Sequence, residues 1–362
     1  FLRGDPLTED WTDEQVADII RFKDPQYVCA SITYTRYKGR YTHGTSFQLV
    51  EHDNYIAAGE RFRRLAPGIK YLVYFHCFLD VTDDGPERFA DARTLCPDGS
   101  QADYGEPDQR LYIPMTTNSY GAAVAKNVDV ILDEIGADGV YWDEHEYSRS
   151  TYHFGEPWDG VSGNIDPSTM RVTQLKSSVT LLSEPWRLAL AEYIQSRSPL
   201  VGNGAPVTKA MIARRFPCFV ETGSITNCTQ AHCYTPIALG DHLTERSELD
   251  AYGTMLAALD YGCVYHWYND VTMIPTHHHL TRYMFPITPV ELHEGYIVGE
   301  DRIVTNRNGL YGWGDASPHE AHVFDDTGRE QEAFAAPLVT QDGKTYTELR
   351  IGEGWSAAIL RK

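Results

Sequence analysis

The chain has 362 residues, 42% of them apolar and 23% charged, with a formal net charge of −20. So much apolar material excludes a disulfide-dependent mini-protein, and the seven cysteines show no paired C-x-x-C spacing of the kind a structural zinc site uses. The acidic balance, with no Lys/Arg cluster, argues against nucleic acid as a partner, and no apolar run reaches the roughly 18 to 20 residues that span a bilayer, so no membrane role is expected.

The opening, FLRGDPLTEDW, is polar and shows neither a signal peptide nor a basic targeting helix; because it starts on Phe1 it reads as a processed chain or a fragment. Residues 27–34 (YVCASITY) read as a strand, 54–66 as a helix and 71–79 (YLVYFHCFL) as a second strand. Over 120–136, Val124, Val128, Ile131, Leu132 and Ile135 form an apolar stripe at helical spacing, with Gly136 placed to end it. A strand at 138–142, a helix at 184–196, a strand at 199–203 and a short helix near VTKAMIARR follow. A strand at 218–222, a helix over ERSELDAYGTMLAALDYG and a strand at 263–268 come next, and ITPVELHEGYIV offers one more.

Apolar strands alternating with helices predict an α/β protein with a parallel sheet. Polar and aromatic residues gather where the strands end: His76, Asp143, Asn203, Glu221, and His266 to Asp270. Chemistry spread over many strand ends suits a (β/α)8 TIM barrel; a doubly wound sheet would concentrate it at one crevice, and no G-x-G-x-x-G loop marks one. On this count Asp143 ends the fourth strand, and the first strand is missing or unrecognised near the N-terminus. Long insertions at 80–120 and 147–183 follow strand ends and would wall the mouth. Short alternating runs after residue 296 predict a small C-terminal antiparallel β domain, dividing the chain into a barrel over 1–295 and a β domain over 296–362.

The stretch GADGVYWDEHEYS carries the chemistry, because an apolar strand stops there at Asp143, Glu144, His145 and Glu146. Glycoside hydrolysis needs two carboxylates, one to protonate the leaving oxygen and one to attack the sugar or activate water. Asp143, short and on a rigid strand end, is the candidate nucleophile or base. Glu221, after the apolar run PCFV, is the candidate acid/base, because apolar surroundings raise a carboxyl pKa. Glu144 and Glu146 are candidate ligands of substrate hydroxyls, or the acid itself if Glu221 turns away, with Trp142 and His145 beside them, and Glu294 is a rival placed at an eighth strand. His266, Trp267, Tyr268, Asn269 and Asp270 combine stacking rings with hydrogen-bonding groups and suit a sugar subsite; His76 and Asn203 would point into the same mouth.

Asp138-Gly139-Val140-Tyr141-Trp142-Asp143 resembles the fourth-strand segment of (β/α)8-barrel glycoside hydrolases, including α-glucosidase-like and endo-α-galactosaminidase-like enzymes. The resemblance implies that Asp143 is the nucleophile, that an Asp or Glu on a later strand is the acid/base, and that the linkage is α. The segment ending in GWSAAILRK is similar to the accessory sandwich that follows such barrels, while the Asn-Glu-Pro signature of many β-linkage-cleaving barrels is absent.

The expected function is a glycosidase acting on a poly- or oligosaccharide. No organic cofactor is required, and no metal site is assigned: three consecutive histidines, His277 to His279, point in different directions and rarely share one ion. A structural calcium in the acidic loop DVTDDG is an open expectation. No P-loop lysine, G-x-S-x-G elbow or H-E-x-x-H helix occurs. The rival readings are a carbohydrate-binding barrel without catalysis and a metal-dependent hydrolase or lyase with its ion among Glu144, His145 and Glu146. Cys228 and Cys233 could close a short disulfide loop.

Overall fold

The computed structural model describes residues 2–3, 11–30, 43–46, 52–221, 235, 237–239, 245–267 and 273–362. Two compact units divide it, one built from Phe1–Cys29, Phe62–Ile69 and Phe219–Lys362, the other from Ala30–Arg61 and Lys70–Cys218. No helix of the described residues is long and apolar enough to cross a membrane.

At the start of the first unit, β1 (Leu2–Arg3) pairs in parallel with β2 (Tyr27–Ala30), in register Leu2↔Val28. Between them lies α1 (Asp13–Lys23), whose entry is fixed by a reciprocal cap: the Gln15 N–H donates to Thr12 Oγ1 at 3.2 Å and the Thr12 N–H to Gln15 Oε1 at 2.8 Å.

The second unit holds α2 (His52–Leu65, as far as Arg61), β3 (Lys70–His76), α3 (Ser119–Asp129), β4 (Gly139–Asp143), α4 (Val179–Gln195) and β5 (Leu200–Asn203). β4 lies between β3 and β5, parallel to both, in registers that set His76 opposite Asp143 and Gly202 opposite Trp142. The expected stripe packs inward: Val124, Val128 and Ile131 are wholly buried. The helix runs on through one π turn at Val130–Glu134, and Gly136 then takes a left-handed φ of +70°.

Two residues at the start of β4 have structural reasons to be what they are. Asp138 Oδ2 accepts the Tyr71 N–H at 3.0 Å. Gly139 has the Pro199 carbonyl oxygen where a Cβ would stand, with the Leu72 side chain 2.7 Å from that point. Backbone cannot yield as a flexible side chain can, so Gly139→Ala is expected to destabilise this unit by about 2 to 4 kcal/mol, read as a lower melting temperature of the purified chain.

The insertions are ordered by short antiparallel pairs: Leu79–Asp80 with Arg110–Leu111, Tyr152–His153 with Ser177–Ser178, and Gly163–Asp166 with Arg171–Leu175. Asp80, which opens the DVTDDG loop, is buried and already accepts from Thr45 N at 2.8 Å, Thr45 Oγ1 at 2.9 Å, Thr82 N at 3.2 Å and the Thr82 hydroxyl. Its oxygens are committed to holding the loop, which removes it as a calcium ligand.

The first unit resumes with β6 (Cys218–Glu221), β7 (Ile237–Leu239), α5 (Glu248–Asp260) and β8 (Val264–His266). β7 pairs in parallel with β6 and with β8. Among the described residues, eight strands thus take part in parallel pairing, and Asp143 ends the fourth in chain order. The strand expected near the N-terminus is β1; β7 was not expected.

Eight further strands form antiparallel sheets: β9 (Pro289–His293), β10 (Tyr296–Gly299), β11 (Arg302–Thr305), β12 (Gly309–Tyr311), β13 (His319–Phe324), β14 (Leu338–Gln341), β15 (Lys344–Leu349) and β16 (Ser356–Arg361). One sheet runs β9-β10-β11-β16-β13 and the other β12-β15-β14, and Ile303, Tyr311, Val323, Leu349, Ala357 and Ile359 fill the core between them. The segment ITPVELHEGYIV, expected as a further barrel strand, instead makes the β9–β10 hairpin. Glu294 stands on its turn beside Gly295 (φ +82°), 85% exposed and 3.7 Å from Arg307. It does not end a parallel strand.

Among the described residues Cys29, Cys77, Cys96, Cys218 and Cys263 are thiols outside any disulfide, and Cys228 and Cys233 lie outside the described residues.

Candidate active site

Successive side chains on a strand face opposite ways, and that alternation builds the site. On β3, Tyr74 and His76 share one face; on β4, Tyr141 and Asp143 do. Asp143 sits half-buried at the strand end with its carboxylate held from both neighbouring strands. The Tyr74 hydroxyl donates to Oδ2 at 2.7 Å from β3, and Asn203 Nδ2 donates to Oδ1 at 2.5 Å from β5. The Tyr141 hydroxyl stands 3.5 Å from Oδ1. These donors are neutral, so they aim the carboxylate without cancelling its charge.

The chain then turns through Glu144, whose φ of +48° is left-handed and strained for a residue with a Cβ. Glu144 accepts the Tyr104 hydroxyl at 2.5 Å, and its other oxygen lies 3.0 Å from His76 Nε2. The Phe78 N–H donates to His76 Nδ1 at 3.1 Å, which makes that nitrogen the acceptor and leaves Nε2 as the N–H that points at Glu144. Two carboxylates therefore stand side by side, each fixed by a different set of donors.

The left-handed turn sends the next two residues inward, against expectation. His145 is fully buried, its Nδ1–H donates to the Asn203 carbonyl at 3.1 Å, and its ring meets Phe216 edge-on at 5.3 Å. Burial lowers its pKa to about 4, so the ring is neutral. Glu146 is ion-paired with the buried Arg187 at 3.0 Å and accepts Thr208 Oγ1 at 2.7 Å. Neither side chain is placed to touch a substrate or to share an ion with Glu144. Trp142 is corrected too: it faces away from Asp143, wholly buried against Phe75 (5.3 Å) and Trp186 (6.2 Å).

In the other unit, Glu221 ends β6, but its side chain lies outside the described residues, as do Tyr268, Asn269 and Asp270. His266 is buried at the end of β8 with Phe285 4.5 Å away, and burial pushes its pKa well down. Trp267, expected as a sugar platform, is a core residue: it is 2% exposed, its Nε1–H donates to Thr281 Oγ1 at 3.0 Å, and Lys23 Nζ lies 4.2 Å over its ring.

Of the expected residues, the structure thus brings together Asp143, Glu144, His76 and Asn203. It adds Tyr74, Tyr141 and Tyr104, which sequence reasoning passed over. Alternation back from His76 and Asp143 would have found the first two; Tyr104 comes from the insertion and carries no such signal.

No protein-family model and no curated protein sequence matches the chain. Solved structures do match in fold. A GH31 dextranase from Flavobacterium johnsoniae, complexed with glucose, matches 100% of this chain and 51% of its own with a TM-score of 0.53 at 11% identity. A GH36 α-galactosidase from Geobacillus stearothermophilus, complexed with stachyose, matches 100% of this chain and 55% of its own with a TM-score of 0.53 at 10% identity. The chain thus spans about half the length of each, and what it shares with these glycoside hydrolases is their fold.

Proposed function

We propose that the chain is an O-glycosidase that cleaves an α-linked poly- or oligosaccharide, with Asp143 as nucleophile or base. The observation that carries this is the clamp on Asp143: a carboxylate at the end of the fourth parallel strand, oriented through both oxygens by Tyr74 and Asn203. A carboxylate aimed this way pays little reorganisation on reaching an anomeric carbon. Glu144, accepting from Tyr104 and His76, is suited to take a hydrogen bond from a sugar hydroxyl. Glu221, at the end of the sixth parallel strand in chain order, is the proposed acid/base on grounds of position.

The inward turn of His145 and Glu146 leaves the rival metal site among Glu144, His145 and Glu146 without support. Dextran and stachyose head the substrates to try, because the structurally similar enzymes are named for one and complexed with the other. The test is sugar release from a panel of α- and β-linked glycans by the wild-type chain, with Asp143→Asn and Glu221→Gln in parallel. Turnover of an α-linked member that both substitutions abolish is expected. Full turnover in Asp143→Asn would overturn the reading, and full turnover in Glu221→Gln alone would move the acid/base elsewhere.

A further inference from the structure

His277 and His279 flank His278, and the alternation that parts neighbours brings alternate residues together. One ligand atom each from Glu248, His277 and His279 lies within 4.8 Å of the other two. Glu248 is the first residue of α5, about thirty residues back along the chain from the histidines. His277 Nδ1 stands 3.2 Å and His279 Nε2 3.6 Å from its two carboxylate oxygens. The two rings stack at 4.6 Å. All four ring nitrogens are buried: His277 Nδ1 and His279 Nε2 face the carboxylate at these distances, while His277 Nε2 and His279 Nδ1 have no hydrogen-bond partner, and His279 is wholly inaccessible. Buried imidazole nitrogens normally find hydrogen-bond partners, so two stacked rings gathered on one carboxylate with two nitrogens unpartnered call for another ligand.

We propose that Glu248, His277 and His279 form a binding site for a divalent transition metal of the zinc type. Two imidazoles and one carboxylate are a common zinc donor set that leaves a fourth position open. Tetrahedral ligation with bonds of about 2.0 to 2.1 Å sets ligand atoms roughly 3.3 Å apart, close to the two separations from Glu248. The carboxylate is oriented from behind by Thr276, whose N–H donates to one oxygen and whose hydroxyl donates to the other at 2.9 Å, leaving lone pairs for an ion. Lys23, over the Trp267 ring, is the nearby cation that opposes an ion here. His278 is turned away, with Arg282 Nη1 2.7 Å from its Nε2 and Phe22 edge-on at 5.6 Å. The site would tie the start of α5 to the segment before Thr281–Met284, and it is independent of the glycosidase reading.

The test uses the tag-free full chain, stripped with a chelator and titrated with Zn²⁺ and with Co²⁺ as a spectroscopic probe. The wild type and His278→Ala are expected to take up about one metal per chain, with the absorption of four-coordinate Co²⁺ and a raised melting temperature. Glu248→Gln and His277→Ala are expected to bind at least about 100-fold more weakly. A wild-type chain that takes up no stoichiometric metal overturns the proposal without reference to any variant. So does equal loss in His278→Ala, or undiminished binding in Glu248→Gln.

Discussion

Asp143→Asn is expected to lower kcat by about 10³-fold or more on whichever glycan the wild type turns over best, while the melting temperature stays close to that of the wild type. Asn keeps the size of the side chain and can still accept from Tyr74, but it cannot attack an anomeric carbon or take a proton from water. The clamp residues should show a graded loss. Asn203→Ala removes the 2.5 Å donor on Oδ1, and Tyr74→Phe the 2.7 Å donor on Oδ2. Each leaves the carboxylate present and less well aimed, with an expected fall of about 10- to 100-fold in kcat and a smaller change in KM. Steady-state kinetics beside thermal melts would distinguish these outcomes. An Asp143→Asn enzyme within tenfold of the wild type would remove Asp143 from the chemistry, and a clamp variant worse than Asp143→Asn would point to structural damage.

Why Asp143 was legible and its neighbours were not has a physical answer. D-G-V-Y-W-D states its own geometry: Asp138 accepts the Tyr71 amide, Gly139 admits the Pro199 carbonyl, and the apolar run pairs on both sides. The strand order was legible where strands are long enough to show alternation. It failed at Leu2–Arg3 and Ile237–Leu239, two- and three-residue strands with no periodicity to read. The direction of Glu144, His145 and Glu146 depends on one left-handed residue that no pattern announces. Trp142, by contrast, could have been excluded in advance, since a residue next to Asp143 on a strand must face the other way. Glu294 could have been placed as well: a Gly after a polar residue between alternating apolar runs is a hairpin signal, and the His293 and Tyr296 rings stack across that turn at 4.3 Å. The metal cluster escaped because two members come from alternate positions of HHH and the third from a distant helix.

The largest effect on stability is expected from Arg187 and Glu146, which lie directly behind the site. Arg187, fully buried on α4, donates through Nη1 to Glu146 Oε1 (3.0 Å) and to the His145 carbonyl (3.1 Å), through Nη2 to the Thr180 carbonyl (2.6 Å) and through Nε to Ser183 Oγ (3.0 Å). It therefore fixes the backbone of the turn that carries Glu144. Glu146→Gln strands a buried guanidinium without its counter-charge, and such losses cost about 3 to 5 kcal/mol, or about 10 °C in melting temperature for a unit of this size. Arg187→Met combined with Glu146→Gln is expected to cost less than the sum of the two single changes, because it removes the stranded charge. Acid should act on the same place. Burial pushes the Glu146 pKa up, but the Thr208 and Arg187 contacts more than offset that and hold it below the ordinary carboxylate value. Its contribution is complete above that value and is lost as the pH falls. His145 is neutral in the fold with a pKa of about 4 against an ordinary 6.5, so the unfolded chain binds the extra proton first, and stability drains away as the pH falls from 6.5 toward 4. Both groups have the same sign. Urea midpoints at descending pH should fall steadily below pH 6.5 in the wild type, and less steeply in His145→Phe, which has no proton to take up. A midpoint that does not move between neutral pH and pH 4 would mean that His145 is not held neutral by its burial.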